Sequence, residues 1–289
     1  MTDTYRPTRQ IVADETFDEE RALYALCDAT VSRCIFDGPA DGESAFKEAA
    51  RVQVEDCIFR LRYPFWHVHG GELARCTMTD TCRAALWYAE DMTVRDCTLG
   101  GIKALRECDR MNFSHSTANS DEFGWLCRDL TLTDCSVAGN YPFFMTRDLV
   151  LEACTLKGKY SFQYVENCTV RDCYLDTKDA FWHAKRVTVT DSTIKGEYLG
   201  WYSEDLTLIR CHLVGTQPLC YCKRLTLIDC TTEGCDLAFE NSEVTATITG
   251  GVDSIKSPAA GSIVADRIGE IIHDRAPVDG QGCRISVRD

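Results

Sequence analysis

Leu130-Thr-Leu-Thr-Asp-Cys135-Ser-Val137 is the stretch that decides the fold. Leu130, Leu132 and Val137 are aliphatic, Cys135 is small, and polar residues stand between them. Alternation with period two puts successive side chains on opposite faces of an extended strand, one face buried. The string returns at Met92-Thr-Val-Arg-Asp-Cys97, Val187-Thr-Val-Thr-Asp-Ser192, Leu206-Thr-Leu-Ile-Arg-Cys211 and Leu225-Thr-Leu-Ile-Asp-Cys230. Aligned on the cysteine, one column reads Cys34, Cys57, Cys76, Cys97, Ser116, Cys135, Cys154, Cys173, Ser192, Cys211, Cys230 and Thr249. From Cys97 onward every step is 19 residues, and the earlier steps are 23, 19 and 21. Only Ser and Thr replace Cys, so the position demands a small side chain.

Further columns keep this register. Five before the cysteine position stand residues such as Leu149, Cys168 and Val187, and three before stand Leu151, Val170 and Val189. Eleven before stand Phe46, Phe65, Leu86, Leu105, Gly124, Phe143, Phe162, Phe181, Gly200 and Leu219, and eight before stand small residues such as Cys108, Cys127 and Cys222. Nineteen residues hold three short strands and three turns, with no helical period between them. Stacking the repeats pairs the strands in parallel at about 4.8 Å and turns each column into an interior ladder, a solenoid whose repeats are stable only together. The fold class is therefore all-β: a single-stranded right-handed parallel β-helix of about twelve turns, capped at both ends. Gly38, Gly101, Gly139, Gly158, Gly196, Gly215 and Gly234, four after the cysteine position, are expected at corners that need positive φ. Asp56, Asp96, Asp134, Asp172, Asp191 and Asp229, just before it, are expected to bond backbone at a bend.

The whole chain, 1–289, reads as one domain. Residues 1–24 form an N-terminal cap and first turn, and 25–249 the solenoid. Residues 250–274 are read as capping strands, carried by Ser262-Ile-Val-Ala265 and Ile268-Gly-Glu-Ile-Ile272, and 275–289 as a loosely held tail.

Composition narrows the function. Hydrophobic residues are 45% and charged residues 26%, and no stretch approaches a membrane span. No basic region followed by an apolar run opens the chain, so a cytoplasmic location is expected. A formal net charge of −14 argues against nucleic acid and against polyanionic glycans.

The residues also resemble a known family. Gly38-Pro-Ala-Asp-Gly-Glu-Ser44, Leu61-Arg-Tyr-Pro64, Tyr198-Leu-Gly-Trp-Tyr202, Gln217-Pro-Leu-Cys-Tyr-Cys222, Asp236-Leu-Ala-Phe-Glu240 and Ile268-Gly-Glu-Ile-Ile272 carry the likeness. The chain resembles domain-of-unknown-function family 3737, an uncharacterised bacterial family with a pectin-lyase-like β-helix. The resemblance implies the fold and supplies no catalytic residues. Pectin-lyase-like enzymes build their clefts from long loops. Here only the segment Asp37 to Ser44 and two extra residues between Cys76 and Cys97 depart from the short turn.

Four features could carry chemistry. The cysteine column is expected to be reduced and buried, because apolar surroundings raise a thiol pKa and ladder neighbours point the same way. Cys220 falls in an outward column and is either a reactive thiol or partly buried under the aromatics. Ten before the cysteine stand Trp66, Trp87, Trp125, Phe144, Trp182 and Trp201; nine before stand Tyr164, His183, Tyr202, Tyr221, Glu107 and Glu240. The flanking columns are inward, so at least one of these two faces out. An outward aromatic ladder suits the apolar faces of a neutral glycan, with Glu and His as hydroxyl partners; it equally suits a subunit interface, or cladding of the solenoid side. His67-Val-His69 has metal-like spacing, but His183, which shares the column of His67, lies six turns away, near 29 Å at the rung spacing; no metal and no cofactor are expected. The corner carboxylates Glu90, Asp91, Asp109, Glu204 and Asp205 alternate with Arg110, Arg128, Arg147, Lys185, Arg186 and Arg224 and read as a solvated charge ladder rather than a glycosidase pair. Three readings stay open: neutral-carbohydrate binding along the ladder; a structural or interaction scaffold, homo-oligomers included; and a polysaccharide lyase or hydrolase by fold analogy alone.

Overall fold

The computed structural model describes residues 9–39, 43–274 and 282–288. The repeating strings form two parallel ladders that climb the molecule together. The longer strands, such as Arg128–Thr133, Arg147–Glu152 and Glu166–Arg171, stack with Leu130, Leu149 and Cys168 in register. The shorter ones, such as Ser136–Asn140 and Thr155–Lys159, stack Val137 on Leu156. A third sheet of three two-residue strands, Phe65–Trp66, Leu86–Trp87 and Leu105–Arg106, lies on the remaining side of the early turns. The only helical element among the described residues is a 3-10 turn, Asp80–Cys82, made by the two extra residues after Cys76.

The coil makes about 14 turns rather than twelve, because the ladder runs into both regions read as caps. Gln10–Ala13 and Thr16–Phe17 already pair with the next turn. At the other end one long strand, Ala260–Ile272, holds both apolar runs read as separate capping strands, and it pairs with Glu243–Lys256 along its length. Arg284–Val287, expected in a loose tail, forms a further strand on Ser262–Ala265, while 275–281 lie outside the described residues.

The core is columnar. Phe143, Phe162 and Phe181 are fully buried and stack face to face at 5.2 and 4.5 Å. Burial of each such side chain contributes about 1.5–3 kcal/mol. In the cysteine column, Cys135 at 5% is the most exposed member from Cys34 to Cys230. The backbone N–H groups of Cys97 and Cys173 donate to Ser116 and Ser192 hydroxyls at 3.0 Å, and those of Cys34 and Cys154 reach the sulfurs of Cys57 and Cys173 at 3.3 Å. The column therefore selects a small acceptor as well as a small volume, which explains Ser as its substitute. Thr249 leaves this pattern: a register shift pairs Cys230 with Ile248, and Thr249 is exposed.

Two turn expectations need correction. Gly139 and Gly158 sit inside strands rather than at corners. They are required because a Cβ on Gly158 would lie 1.7 Å from the Gly139 carbonyl oxygen. The Asp residues before the cysteine are left-handed corner residues, with φ of 51–54° at Asp56, Asp134 and Asp191, but the carboxylates of Asp56 and Asp191 pair with an arginine one turn away, and that of Asp134 lies 3.6 Å from His115. Arg75–Asp56 and Arg210–Asp191 are both 2.7 Å. The corner five residues earlier repeats this with Arg110–Asp91 and Arg224–Asp205 at 2.6 Å.

Candidate functional site

The two aromatic columns lie side by side on one flank. The ten-before column, Trp66, Trp87, Trp125, Phe144, Trp182 and Trp201, is half-buried. The nine-before column faces outward, its residues held in left-handed conformation between the inward columns: φ is 58° at Tyr164, 54° at His183, 60° at Tyr202 and 62° at Tyr221. It also contains two apolar residues that are not aromatic, Leu126 and Met145. Leu126, Met145, Tyr164 and Tyr202 are 41%, 45%, 47% and 45% exposed, and His183 and Tyr221 lie in the same run, half-buried.

The rings stack along the coil. Trp182 and Trp201 are 5.7 Å apart with planes 4° from parallel. Tyr164, His183, Tyr202 and Tyr221 follow one another at 4.9, 5.0 and 4.9 Å, with planes 4–12° apart. Parallel rings this close must overlap face to face, so their faces cover each other and their edges meet solvent. The indole N–H groups are also engaged: Trp125, Trp182 and Trp201 donate to the carbonyls of Tyr141, Tyr198 and Gln217 at 2.6, 2.8 and 2.7 Å. The three indoles thus lie on one flank, as their shared column implies, and the contact between Trp182 and Trp201 covers one face of each.

The early part of the flank is built differently. Trp66 and Trp87 stack at 5.6 Å, yet their indole N–H groups are buried with no hydrogen bond among the described residues. Lys47 stands 4.6 Å from the Trp66 ring centre, and Arg106 lies between Trp87 and Trp125 at 6.0 and 5.5 Å. Glu107 and Glu240, isolated in sequence, are paired: Glu107 with Arg106 at 2.9 Å and Glu240 with Lys256 at 3.3 Å.

Cys220 does not face solvent. Its sulfur sits beneath the chain against the carbonyls of Gln217, Pro218 and Leu237, 1% exposed, and burial pushes its thiol up to about 12. Its corner matches those of Phe144 and Trp182, with the flanking Leu219 and Tyr221 left-handed, and the short thiol packs against the carbonyls beneath it where the longer side chains reach the surface. His69 reaches Glu90 at 3.9 Å. A cleft of about 690 Å³ opens on another side, beside Asp37, Arg60, Arg62, Thr79 and Thr81; there Arg60 binds Asp37 at 2.5 Å and Arg62 approaches Glu43 at 3.8 Å.

Residues 10–286 match the model of DUF3737, a family of proteins of unknown function. The chain belongs to this family. No curated protein matches it. Among solved structures it is similar to PfbA, a surface adhesin of Streptococcus pneumoniae, with 8% identity, 82% of this chain and 83% of that chain covered, and a TM-score of 0.40. It is also similar to the A-module of the mannuronan C-5 epimerase AlgE6 of Azotobacter vinelandii, with 13% identity, 96% and 90% covered, and a TM-score of 0.37. A DFA-IIIase of Arthrobacter chlorophenolicus shows 10% identity, 93% and 76% covered, and a TM-score of 0.30. These likenesses extend to the coiled β architecture alone.

Proposed function

We propose that this DUF3737 protein is a noncatalytic scaffold that recognises a macromolecular partner along the strip Leu126, Met145, Tyr164, His183, Tyr202 and Tyr221. The observation that carries the reading is Leu126, Met145 and Tyr164, exposed on three consecutive turns, with Tyr202 exposed two turns further on beyond the half-buried His183. Contiguous exposed apolar surface of this kind marks binding sites in soluble proteins. A neutral glycan fits less well, because ring faces overlap one another and indole donors are bonded within the chain. Catalysis on polysaccharide fits least, since two of the flank's carboxylates, Glu107 and Glu240, are each paired with an adjacent cation. A cytoplasmic setting accompanies the proposal, because unpaired thiols persist in reducing compartments.

Hydroxyl-radical footprinting tests this. Met145, Tyr164 and Tyr202 are expected to oxidise readily in dilute purified protein and to be protected inside producing cells. Equal oxidation in both settings defeats the scaffold reading. Glycan-array binding by the parent that Tyr164→Ala and Tyr202→Ala together abolish would replace it with the carbohydrate one.

A further inference from the structure

We infer that the partner on this strip is a second copy of the chain, laid antiparallel across it; the inference rests on the scaffold reading. Its argument is the charged column two residues after the strip, separated from it by one buried residue per turn. The strand pairing sets Arg128, Arg147, Glu166, Lys185 and Glu204 one above another, and Lys223 follows Glu204. All six lie at the surface, directly beside the exposed apolar run.

Consider a two-fold axis perpendicular to the coil, crossing the strip between the turns of Tyr164 and His183. Such an axis keeps the charged column on the same side of the interface and reverses its order, so the column meets itself head to tail. Glu166 then faces Lys185 of the second copy, Arg147 faces its Glu204, and symmetry doubles both pairs. In the same register the strip closes on itself: Tyr164 against His183, Met145 against Tyr202, Leu126 against Tyr221. Moving the axis a whole step, to between His183 and Tyr202, keeps two opposite pairs, Lys185 with Glu204 and Glu166 with Lys223, but sets the apolar Met145 against Glu240 and leaves Leu126 outside the strip. Moving it half a step, onto the turn of Tyr164, keeps only Arg128 against Glu204 and sets Glu166 against itself and Arg147 against Lys185. Like charges facing each other across an interface are strongly disfavoured. A parallel arrangement, with the axis along the coil, puts the two charged columns on opposite sides and loses the pairing. One like-charged contact remains in the favoured register, Arg128 against Lys223; within each chain Arg128 is held by Asp109, Glu166 by Arg147 and Arg186, and Glu204 by Arg224, so the cross-copy pairs extend charge networks that each chain already makes.

Six turns span about 24 Å at the rung spacing, so the interface is a small one. Small specific interfaces are weak, and the dimer is expected to be concentration-dependent and weakened by salt. Sedimentation equilibrium of the full chain, over a wide concentration range, reads it out. The parent is expected to dimerise reversibly. E166K alone and K185E alone should each weaken the dimer about tenfold or more, and the double swap should return it to the parent value. R147E with E204R offers a second, independent pair, and melting curves confirm that each variant is folded. A parent that stays monomeric at every concentration, or a double swap no better than the singles, overturns the inference. If the chain is monomeric while the strip is still protected in cells, only the second-copy partner falls; if protection is absent too, the scaffold reading falls with it.

Discussion

The flank that carries the aromatic columns has two halves, and they solve the same packing problem in different ways. From Gly124 onward the position eleven before the cysteine is left-handed: φ is 75° at Gly124, 63° at Phe143, 61° at Phe162, 60° at Phe181 and 71° at Gly200. The corner residues Tyr141, Tyr198 and Gln217 are left-handed as well, and it is their carbonyls that accept the indole N–H groups. In the earlier half the equivalent residues, Phe65, Leu86 and Leu105, are extended and make the three-stranded sheet. There the 3-10 turn at Asp80–Cys82 replaces the ordinary corner, and the Cys82 carbonyl accepts the backbone N–H of Tyr63 instead. The next turn moulds itself to that feature, with Gly100 and Gly101 so close that a Cβ would fall 2.5 Å from Asp80 and 2.8 Å from Arg83. The two indoles without acceptors, Trp66 and Trp87, thus flank the turn that holds the two inserted residues, and a cation stands over each ring. A solenoid transmits a local change to the neighbouring turn because each turn is the template for the next.

Several measurements would break or sharpen this contrast. The largest expected effect is in thiol reactivity. Cys27, exposed in an early turn, should label rapidly in the native protein and Cys283 more slowly, while the sixteen buried cysteines, Cys220 included, should label only on unfolding. Labelling of Cys220 as fast as Cys27 would show that the late turns are looser than described.

Stability comes next. Gly158→Ala, in the regular half, forces a methyl into the carbonyl of Gly139 and should cost about 3 kcal/mol or more by denaturant melting. Gly70→Ala, at an early corner where the nearest atom is 3.9 Å away and only the φ of 72° is adverse, should cost about 1–2 kcal/mol. Equal costs would mean that the two halves are packed alike.

A smaller difference separates two indoles. Trp182→Phe leaves the Tyr198 carbonyl without its donor, a loss of about 0.5–1.5 kcal/mol, whereas Trp87→Phe removes a donor that has no acceptor in hydrogen-bond geometry among the described residues. The first variant should be the less stable by about 1 kcal/mol, and a reversed order would place the missing acceptor beside Trp87.

The smallest effect should be the same in both halves. Hydrogen bonds from Arg75 and Arg210 hold the carboxyls of Asp56 and Asp191 below the ordinary carboxylate range. A depressed folded pKa gives stability that is present above the unfolded value, near pH 4, and lost as pH falls through the folded one. These pairs are solvent-exposed and contribute little. The melting-temperature gap between parent and Asp56→Asn or Asp191→Asn should therefore be slight at neutral pH and close as pH drops below about 4.

Much of the fold was legible because hydrophobic columns repeat in register. Leu130, Leu149 and Val187 must face inward together or not at all, so the parallel ladder followed from spacing. The ends were less legible, since Gln10–Ala13 and Arg284–Val287 carry no cysteine to mark their turn. For the site, sequence found the two columns but not their orientation. It left a glycan platform, an interface and cladding all open for Trp182 and Trp201; the stacking of the two rings, 5.7 Å apart, comes from their places on successive turns. It also passed over Leu126 and Met145, which are not aromatic yet complete the exposed run.

What the sequence determined by itself is the register: which residues share a column and which columns are buried, because a period-two pattern admits one inward face. What the tertiary structure alone decided is backbone hand at the corners. Phe65 and Phe143 occupy the same column with the same side chain, yet one is extended and the other left-handed. Burial of a phenylalanine is indifferent to that choice, and the turn stacked beneath it is not.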